Sequence, residues 1–345
     1  MKFDAVIAPG SLSSVTTTAQ AIEGLGFDGL WTSETAHNPF LPLTLAASST
    51  RRIELGTSIA VAFPRSPMVT AQLAWDLAEQ SGGRFILGLG TQVKPHITKR
   101  FSTTWDSPGP RLREYILSLR TIWNTFQRNV PLRYRGQFYT FTLMTPFFTP
   151  GPIQTPDIPI YIAGVNPYLC RLAGELCQGF HVHPLHTPRY LREVIIPNIG
   201  QGAASAGRAR ADVTLACAIF VVTGANERAI ENAKAPIKQQ IAFYGSTPTY
   251  QKVLELHGWG ETALELNNLS RQSRWFDMAN LITDDMLHEF AVVAPHDQLA
   301  RRVRERYEGL LDRIAYYFPF EPGVNEALWR DAIAVMSDKQ TAQPH

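Results

Sequence analysis

The stretch LGTSIAVAFPRSP, Leu55–Pro67, contains one unit of the repeat that decides the fold. It begins with apolar and β-branched residues, which are typical of a buried strand. Pro64 and Pro67 follow, and proline cannot donate a hydrogen bond to a strand ladder but suits the first turn of a helix. The stretch therefore predicts a strand that ends abruptly before a helix. Thr57 and Ser58 are unexpected in such a strand because they place hydroxyl groups among buried residues.

The same alternation of a short apolar run and a helical segment recurs along the chain. Apolar runs that we interpret as strands are Phe3–Pro9, Asp28–Ser33, Arg52–Ala62, Arg84–Gly90, Ile158–Gly164, Gly179–Pro184, Asp212–Val222 and Asp312–Pro319. Apolar residues recurring every three or four positions predict helices near 15–25, 41–49, 67–81 and 110–126. Eight such strands separated by helices indicate an α/β fold, the (β/α)8 TIM barrel with insertions.

A doubly wound open sheet is the competing architecture. It would place a cofactor phosphate on a glycine-rich turn directly after the first strand. Here that turn reads APGSLSS, residues 8–14, and has too few glycines. Gly88 and Gly90 match the fingerprint only weakly and lie at the end of the fourth predicted strand. The strand count therefore favours the barrel.

Two segments interrupt the repeat. Leu132–Phe141 reads as a small hairpin, and a proline-rich linker leads from it to the fifth strand. The segment Gly245–Asp285 lacks strand signals and carries Trp259, Trp275 and Phe276. Barrel enzymes often add a lid or pocket wall between units, so we predict a variable pocket-forming insertion at about 245–285. Residues 1–345 are otherwise expected to form a single barrel domain.

Composition narrows the classes of partner. The chain of 345 residues is 45% apolar and 18% charged, with a formal net charge of +2 at pH 7 and no long basic run. The electrostatic footprint of a nucleic-acid-binding protein is missing, so a small molecule is the expected partner. The three cysteines predict neither a disulfide framework nor a zinc site. Since neither a signal peptide nor a run of eighteen apolar residues is found, we expect a cytoplasmic protein without membrane contact.

Polar residues cluster where the predicted strands end. In TIM barrels the active site is built from the C-terminal ends of the strands and the loops that follow them. Polar segments at those places are SETAHNPF (33–40), TQVKPHITKRF (91–101), AGVNP (163–167) and HVHPLH (181–186). A hydrophobic core has no use for these side chains, and we take them as candidates for the site.

At this point the chain resembles the bacterial luciferase-like flavin and deazaflavin oxidoreductases, in particular the branch that uses coenzyme F420. The segments that carry the resemblance are GFDGLWTSE (26–34), RIELGTSIAVAFPRSP (52–67), LAEQSGGRFILGLGTQ (77–92), RLREYILSLRTIW (111–123), GQFY (136–139) and IAGVNPYLCRLAGELCQGF (162–180). Their order and spacing make the match specific, and it weakens from about residue 240 to 285. The resemblance implies hydride transfer between F420 and a small organic substrate, and dimerisation is expected from it alone.

The resemblance also implies which residues contact the cofactor. Relatives that bind the deazaflavin carry a bulge with a non-proline cis peptide behind its ring, and the matching pair here is Ser58–Ile59. The turn formed by Ala163, Gly164, Val165 and Asn166 resembles the phosphate-binding turn of the family, where free N–H groups at a helix start receive the phosphate. An ordinary turn capped by Asn166 is the alternative. Further candidate contacts to the cofactor are Ala8, Gln92 and His96.

For the chemical step the family places an acidic residue followed by histidine after strand two. The matching pair in this chain is Glu34 and Thr35, so the histidine is missing, and His37 could substitute for it. A carboxylic acid whose pKa is raised by burial can donate the proton, which makes Glu34 the main catalytic candidate. A salt-bridged or helix-capping carboxylate is the alternative role.

Three alternative functions stay open. The same fold could use reduced FMN and oxygen as a monooxygenase. His181, His183 and His186 could belong to a metal-dependent hydrolase, although ligands from other strands are not evident, and we expect no metal. A non-catalytic homologue that only binds cofactor is the third.

Overall fold

Eight parallel strands close into a barrel in the computed structural model, which describes residues 1–8 and 10–337. The strands are β1 Lys2–Val6, β2 Gly29–Thr32, β3 Glu54–Thr57, β4 Phe85–Gly90, β5 Ile160–Gly164, β6 Gly179–Val182, β7 Thr214–Gly224 and β8 Arg313–Tyr316. Each pairs with the next, and the pairing of Lys2 with Arg313 joins β1 to β8 and closes the ring. The predicted TIM barrel is confirmed. The predicted end of the first strand at Pro9 lies outside the described residues.

Helices pack around the outside of the barrel. The main helices are Val15–Leu25, Phe40–Ser49, Pro67–Ser81, Pro108–Arg128, Pro167–Leu176, Ile196–Ser205, Glu227–Gly245, His296–Tyr307 and Glu326–Ser337. The helix Pro67–Ser81 shows why the sequence specifies its bounds. The hydroxyl oxygen of Ser66 accepts a hydrogen bond from the Met68 N–H, Pro67 occupies the first turn, and Gly82 ends the helix in the left-handed conformation. Within the described residues, no helix combines the length and apolar character that crossing a membrane requires.

Successive side chains of each strand point to opposite faces, so the buried core has one part inside the barrel and another between the strands and the helices. Residues such as Leu87 and Leu89 face outward and pack against the helices, whereas Ile86 faces the barrel interior. Trp31, Ile86, Tyr161 and Ala216 form the buried layer inside the barrel. The interior is therefore a packed core at this level, as in other TIM barrels.

A buried ion pair lies inside the barrel, below that layer. Arg313 and Asp4 make two hydrogen bonds of 2.8 Å, and both side chains are almost inaccessible to solvent. Asp4 also accepts a hydrogen bond from the Trp31 indole, and Glu54 is a second carboxylate partner of Arg313. Gly29 makes room for this network, because a Cβ there would lie 2.6 Å from Arg313 Nη2. Every charge is thus paired, which is what burial of a guanidinium requires.

The insertions are partly as predicted. The hairpin is present, with Tyr134–Arg135 paired to Thr140–Phe141, and the Glu114 carboxylate accepts hydrogen bonds from the N–H groups of Gln137 and Phe138 in its turn. Residues 245–285 hold short helical segments, which are Pro248–Tyr250, Gln251–Glu255, Gly260–Arg271 and Asp277–Leu281, with Asp284–Phe290 starting at their end. A strand that the sequence did not predict, Ala291–Pro295, extends the sheet along the distal half of β7.

Candidate functional site

The third strand is interrupted at the barrel mouth. Pairing of β3 with β4 stops after Gly56 and Ile86 and resumes on the short strand Ala60–Val61, where Ala60 pairs with Leu89. Between them the peptide bond Ser58–Ile59 is cis, as the family resemblance implied. The strand therefore carries a bulge where the family resemblance places one.

Thr57 takes over the hydrogen bonds that the bulge removes from β4. Its buried hydroxyl donates to the Gly88 carbonyl at 2.6 Å and accepts from the Gly88 N–H at 2.9 Å. The two strands approach so closely that a Cβ on Gly88 would lie 1.8 Å from the Thr57 carbonyl oxygen. The hydroxyl inside an apolar strand is explained by these two backbone groups, which would otherwise be buried without partners.

Ser58 and Ile59 contact residues of the barrel interior. The Ser58 hydroxyl lies 3.4 Å from Nδ1 of His181, and the backbone N–H of Ser58 donates to the Thr32 carbonyl. Ile59 lies against Gly90, since a Cβ on that glycine would be 2.7 Å from Ile59 Cδ1. The structure thus joins the ends of β2, β3, β4 and β6 around the bulge.

Glu34 is held by an arginine that the sequence analysis did not single out. The Arg65 guanidinium donates to both carboxylate oxygens, at 2.7 and 2.8 Å, and the Val61 N–H donates to Oε2 at 2.7 Å. The two side chains are 7% and 15% exposed, for Glu34 and Arg65 respectively. This geometry is that of a bidentate ion pair. It corresponds to the salt-bridged alternative, and proton donation by Glu34 stays a prediction.

The other candidates on the first two loops lie at the rim. Ala8 and His37 line the same small pocket, together with Thr32 and Ser33. Thr35 is exposed, and its carbonyl accepts a hydrogen bond from Arg100. His37 is also exposed. The structure brings Ala8 and His37 together, and their roles stay predictions.

The two candidate residues in the loop after β4, Gln92 and His96, differ in burial. Gln92 is half-buried in the left-handed conformation, with φ of 60°, and its side-chain oxygen accepts from the Val93 N–H. His96 is exposed on the helical turn His96–Arg100. A contact of Gln92 or His96 with a cofactor stays a prediction.

The turn after β5 has the helix cap that was the alternative interpretation of Asn166, and phosphate binding there stays a prediction. Its side chain accepts from the Leu169 N–H at 2.9 Å and so caps the helix Pro167–Leu176. The Val165 carbonyl accepts from the Tyr190 hydroxyl, while Pro167 has no N–H. Gly164 packs tightly, because a Cβ there would lie 2.7 Å from the Leu169 side chain. A capped helix start can still present backbone N–H groups to an anion.

Three histidines follow one another on and after β6 but do not converge. Nδ1 of His181 faces Ser58, Nδ1 of His183 accepts from the Leu185 N–H at 3.1 Å, and Nδ1 of His186 lies 3.0 Å from the His183 carbonyl. Burial lowers the pKa of His181 and of His183 to about 3, and that of His186 to about 4. Within the described ranges, no group of three His, Cys, Asp or Glu residues could hold a metal ion.

An aromatic cluster on the opposite side of the mouth was only partly foreseen. His183 lies 4.5 Å from the Tyr244 ring and 4.2 Å from the Tyr250 ring, between centroids. The Tyr244 and Tyr317 hydroxyls are hydrogen-bonded to each other. The sequence predicted an aromatic pocket wall in this region from Trp259, Trp275 and Phe276 instead. Tyr317 follows β8 directly, and position after a strand end was the signal that could have found it.

Comparisons with known proteins agree with this architecture. Residues 3–313 match the sequence family described as luciferase-like monooxygenase. An uncharacterized protein of Mycobacterium tuberculosis is 47% identical over 318 residues, covering 92% of this chain and 93% of that protein. A putative coenzyme F420-dependent oxidoreductase of the same organism is 31% identical over 301 residues, covering 82% and 84%.

Among solved structures, the coenzyme F420 dependent tetrahydromethanopterin reductase from Methanopyrus kandleri superimposes with a TM-score of 0.77. The two sequences are 21% identical, and the alignment covers 97% of each chain. This likeness establishes that the two proteins share their fold.

Proposed function

Since the chain belongs to the luciferase-like monooxygenase family, we propose that it is an oxidoreductase that transfers hydride between coenzyme F420 and a small organic substrate. Support comes from the relative in Mycobacterium tuberculosis that is 31% identical to this chain and is a putative coenzyme F420-dependent oxidoreductase. The family membership alone leaves FMN as the alternative cofactor.

The observation that carries the proposal is the lining of the barrel interior on the mouth side of the buried layer Trp31, Ile86, Tyr161 and Ala216. On the interior face of β4, β5 and β7, the residues above the buried layer are Gly88, Gly90, Ala163 and Ala218. These four residues carry at most a methyl group, and the next interior residue along β7 is Phe220, whose ring packs against Tyr317. The bulge of Ser58 and Ile59 lies against the same glycines. Gly88 and Gly90 make room for Thr57, His181 and Ile59, which occupy the space directly in front of them. The flat ring of the cofactor would lie on the mouth side of this bulge, in the space that we call the chamber.

Different residues of the barrel mouth would contact the ring and the phosphate of a deazaflavin. Ser58 and Ile59 would lie behind the ring, Gln92 would offer its amide, and the N–H groups of the turn Gly164–Asn166 would receive the phosphate. When bound, the deazaflavin supplies a ring carbon that carries hydride. His181, neutral because burial lowers its pKa to about 3, adds no positive charge beside the ring.

The alternative with FMN uses the same chamber and differs in the reaction with oxygen. A titration of the purified protein with F420 and with FMN, followed by ligand fluorescence, separates the two. We expect F420 to bind at least tenfold more tightly than FMN. Tighter binding of FMN, together with oxygen consumption when reduced FMN is supplied, would overturn the proposal. Binding of F420 without hydride transfer to any of a broad set of aldehydes, ketones and imines would indicate a non-catalytic homologue.

A further inference from the structure

Four side chains form a continuous wall on one side of the barrel mouth, which we call the aromatic wall: His183, Tyr244, Tyr250 and Tyr317. They come from the loop after β6, the end of the helix Glu227–Gly245, the turn Pro248–Tyr250 and the residue after β8. The rings of Tyr244 and Tyr317 have centroids 6.3 Å apart, and Phe220 packs against Tyr317 at 4.8 Å. All four members are half-buried, so each keeps some surface toward the mouth.

Strand alternation places this wall on the interior side. His183 lies two residues beyond His181, which contacts Ser58 inside the barrel. Tyr317 likewise follows Arg313 and Ala315, whose side chains share one face of β8 with the interior ion pair. The adjacent residue Tyr316 points the other way and packs against Phe3 and Trp329. The aromatic wall therefore faces the chamber that begins at the bulge.

The wall presents hydrogen-bond donors. Nδ1 of His183 accepts from the Leu185 N–H, so in the neutral ring the proton resides on Nε2. Burial lowers the pKa of His183 to about 3 and raises that of Tyr250 to about 12, so both groups are neutral near pH 7. Within residues 1–8 and 10–337, Nε2 of His183 has no hydrogen-bond partner, and neither does the Tyr250 hydroxyl. Neither atom is among the fully buried polar atoms, so both are accessible to a ligand.

Burial is the largest cause of the pKa shifts in the wall, and the neighbouring groups that also shift these pKa values are polar and uncharged near pH 7. The groups that shift the pKa values of the four wall residues are other tyrosines, Gln240 and His186, beside burial itself. No Lys, Arg, Asp or Glu of the described part of the chain is among them. A carboxylate or phosphate placed against the wall would lose hydration without gaining a countercharge, which is strongly unfavourable.

We propose that the aromatic wall binds the substrate as an uncharged, planar, oxygen-bearing compound, with its flat part against the tyrosine rings and its oxygen accepting hydrogen bonds from His183 Nε2 and the Tyr250 hydroxyl. The inference rests on the proposed function, because it assigns the substrate side of that site. It adds a substrate class and four residues that recognise it.

The test uses two matched pairs of probes on protein loaded with F420. Acetophenone and methyl naphthyl ketone are uncharged, whereas benzoate and naphthoate carry a carboxylate on the same rings. Saturation-transfer NMR gives a dissociation constant for each. We expect the ketones to bind at least tenfold more tightly than the matching carboxylates. In Tyr250→Phe the dissociation constants of the ketones should rise roughly fivefold to tenfold, the effect of one lost hydrogen bond.

Tyr316→Phe is the matched control, since Tyr316 adjoins Tyr317 on β8 but faces the outer core, and its hydroxyl has no partner in the described structure. We expect it to leave every dissociation constant unchanged, while Tyr317→Phe weakens ketone binding. Absence of ketone binding, equal or tighter binding of the carboxylates, or an unchanged affinity in Tyr250→Phe would overturn the inference. Failure of F420 to bind in the preceding titration would instead refute the proposed function.

Discussion

The Arg65 guanidinium holds both carboxylate oxygens of Glu34, at 2.7 and 2.8 Å, across the bulge of the third strand. The Val61 N–H donates to the same carboxylate, and the Glu34 N–H donates to the Ile59 carbonyl. Glu34 therefore links the end of β2 to both sides of the bulge. A bidentate partner of arginine is an ionised carboxylate, whereas a proton donor must carry a proton, so the two roles predict different behaviour of variants.

We expect Glu34→Gln and Arg65→Gln each to lower the free energy of unfolding by about 3 kcal/mol, because each leaves a largely buried charge or amide without its partner. The double variant should lose less than the sum of the two. Urea denaturation measures all three, with the exposed Glu261→Gln as control. If Glu34 positions the bulge, turnover should fall together in both single variants. A loss of turnover of about 100-fold or more in Glu34→Gln, with Arg65→Gln unaffected, would establish the proton-donor role instead.

Thr57 should be important for stability because its hydroxyl serves both backbone groups of Gly88. Thr57→Val keeps the shape of the side chain and removes the hydroxyl, which leaves a buried N–H and a buried carbonyl without partners. We expect a loss of about 2–4 kcal/mol in the free energy of unfolding, from two such groups.

Thr57→Ser retains the hydroxyl and should recover most of that loss. Thr17→Val, at an exposed position of the helix Val15–Leu25, is the control for the substitution itself. Equal stability of Thr57→Val and wild type, measured by urea denaturation, would show that the two backbone groups find other partners.

Strands and helices were predictable where hydrophobic period and capping residues agree, as in Pro67–Ser81. The strand Ala291–Pro295 was missed because five apolar residues directly after a helix give no period of their own. In the site, the bulge at Ser58 and Ile59 was predicted from the family resemblance, because the residues alone are equally typical of a plain strand. The partners of those residues were not, since contacts between Arg65 and Glu34 or between Thr57 and Gly88 depend on how far apart two strands lie.

The turn after β5 offers a test of the phosphate site that keeps the fold intact. Gly164→Val is unsuitable, because the new side chain would meet Leu169 whether or not a phosphate binds. Asn166→Asp retains an acceptor for the Leu169 N–H, and aspartate caps helices as well as asparagine does. It adds a negative charge where the phosphate is predicted.

We expect Asn166→Asp to raise the dissociation constant of F420 at least tenfold at low salt, while thermal stability stays near that of wild type. Asn226→Asp makes the same change at the capping residue after β7 and should leave F420 affinity nearly unchanged. Fluorescence titration gives both values. Equal affinity of Asn166→Asp and wild type would place the phosphate at another loop.

His181, His183 and His186, on and after β6, should make the free energy of unfolding depend on pH. Burial is the main cause that lowers their folded pKa values, to about 3 for His181 and His183 and about 4 for His186, whereas a histidine in the unfolded chain titrates near 6.5. Between those values the unfolded state binds more protons than the folded state. The free energy of unfolding therefore rises with pH between these folded and unfolded pKa values, and it falls when the solution is acidified through the same window.

We expect stability to fall steeply from about pH 6.5 toward pH 4, with each histidine contributing up to about 1.4 kcal/mol per pH unit. His186→Asn tests this, since the asparagine amide can replace the Nδ1–H donor that faces the His183 carbonyl but does not titrate. Its free energy of unfolding, measured by urea denaturation at several pH values, should show a slope shallower by up to that amount. His96→Asn, at an exposed position, should keep the wild-type slope. Identical slopes for His186→Asn and wild type would mean that His186 takes up its proton in the folded protein as readily as in the unfolded chain.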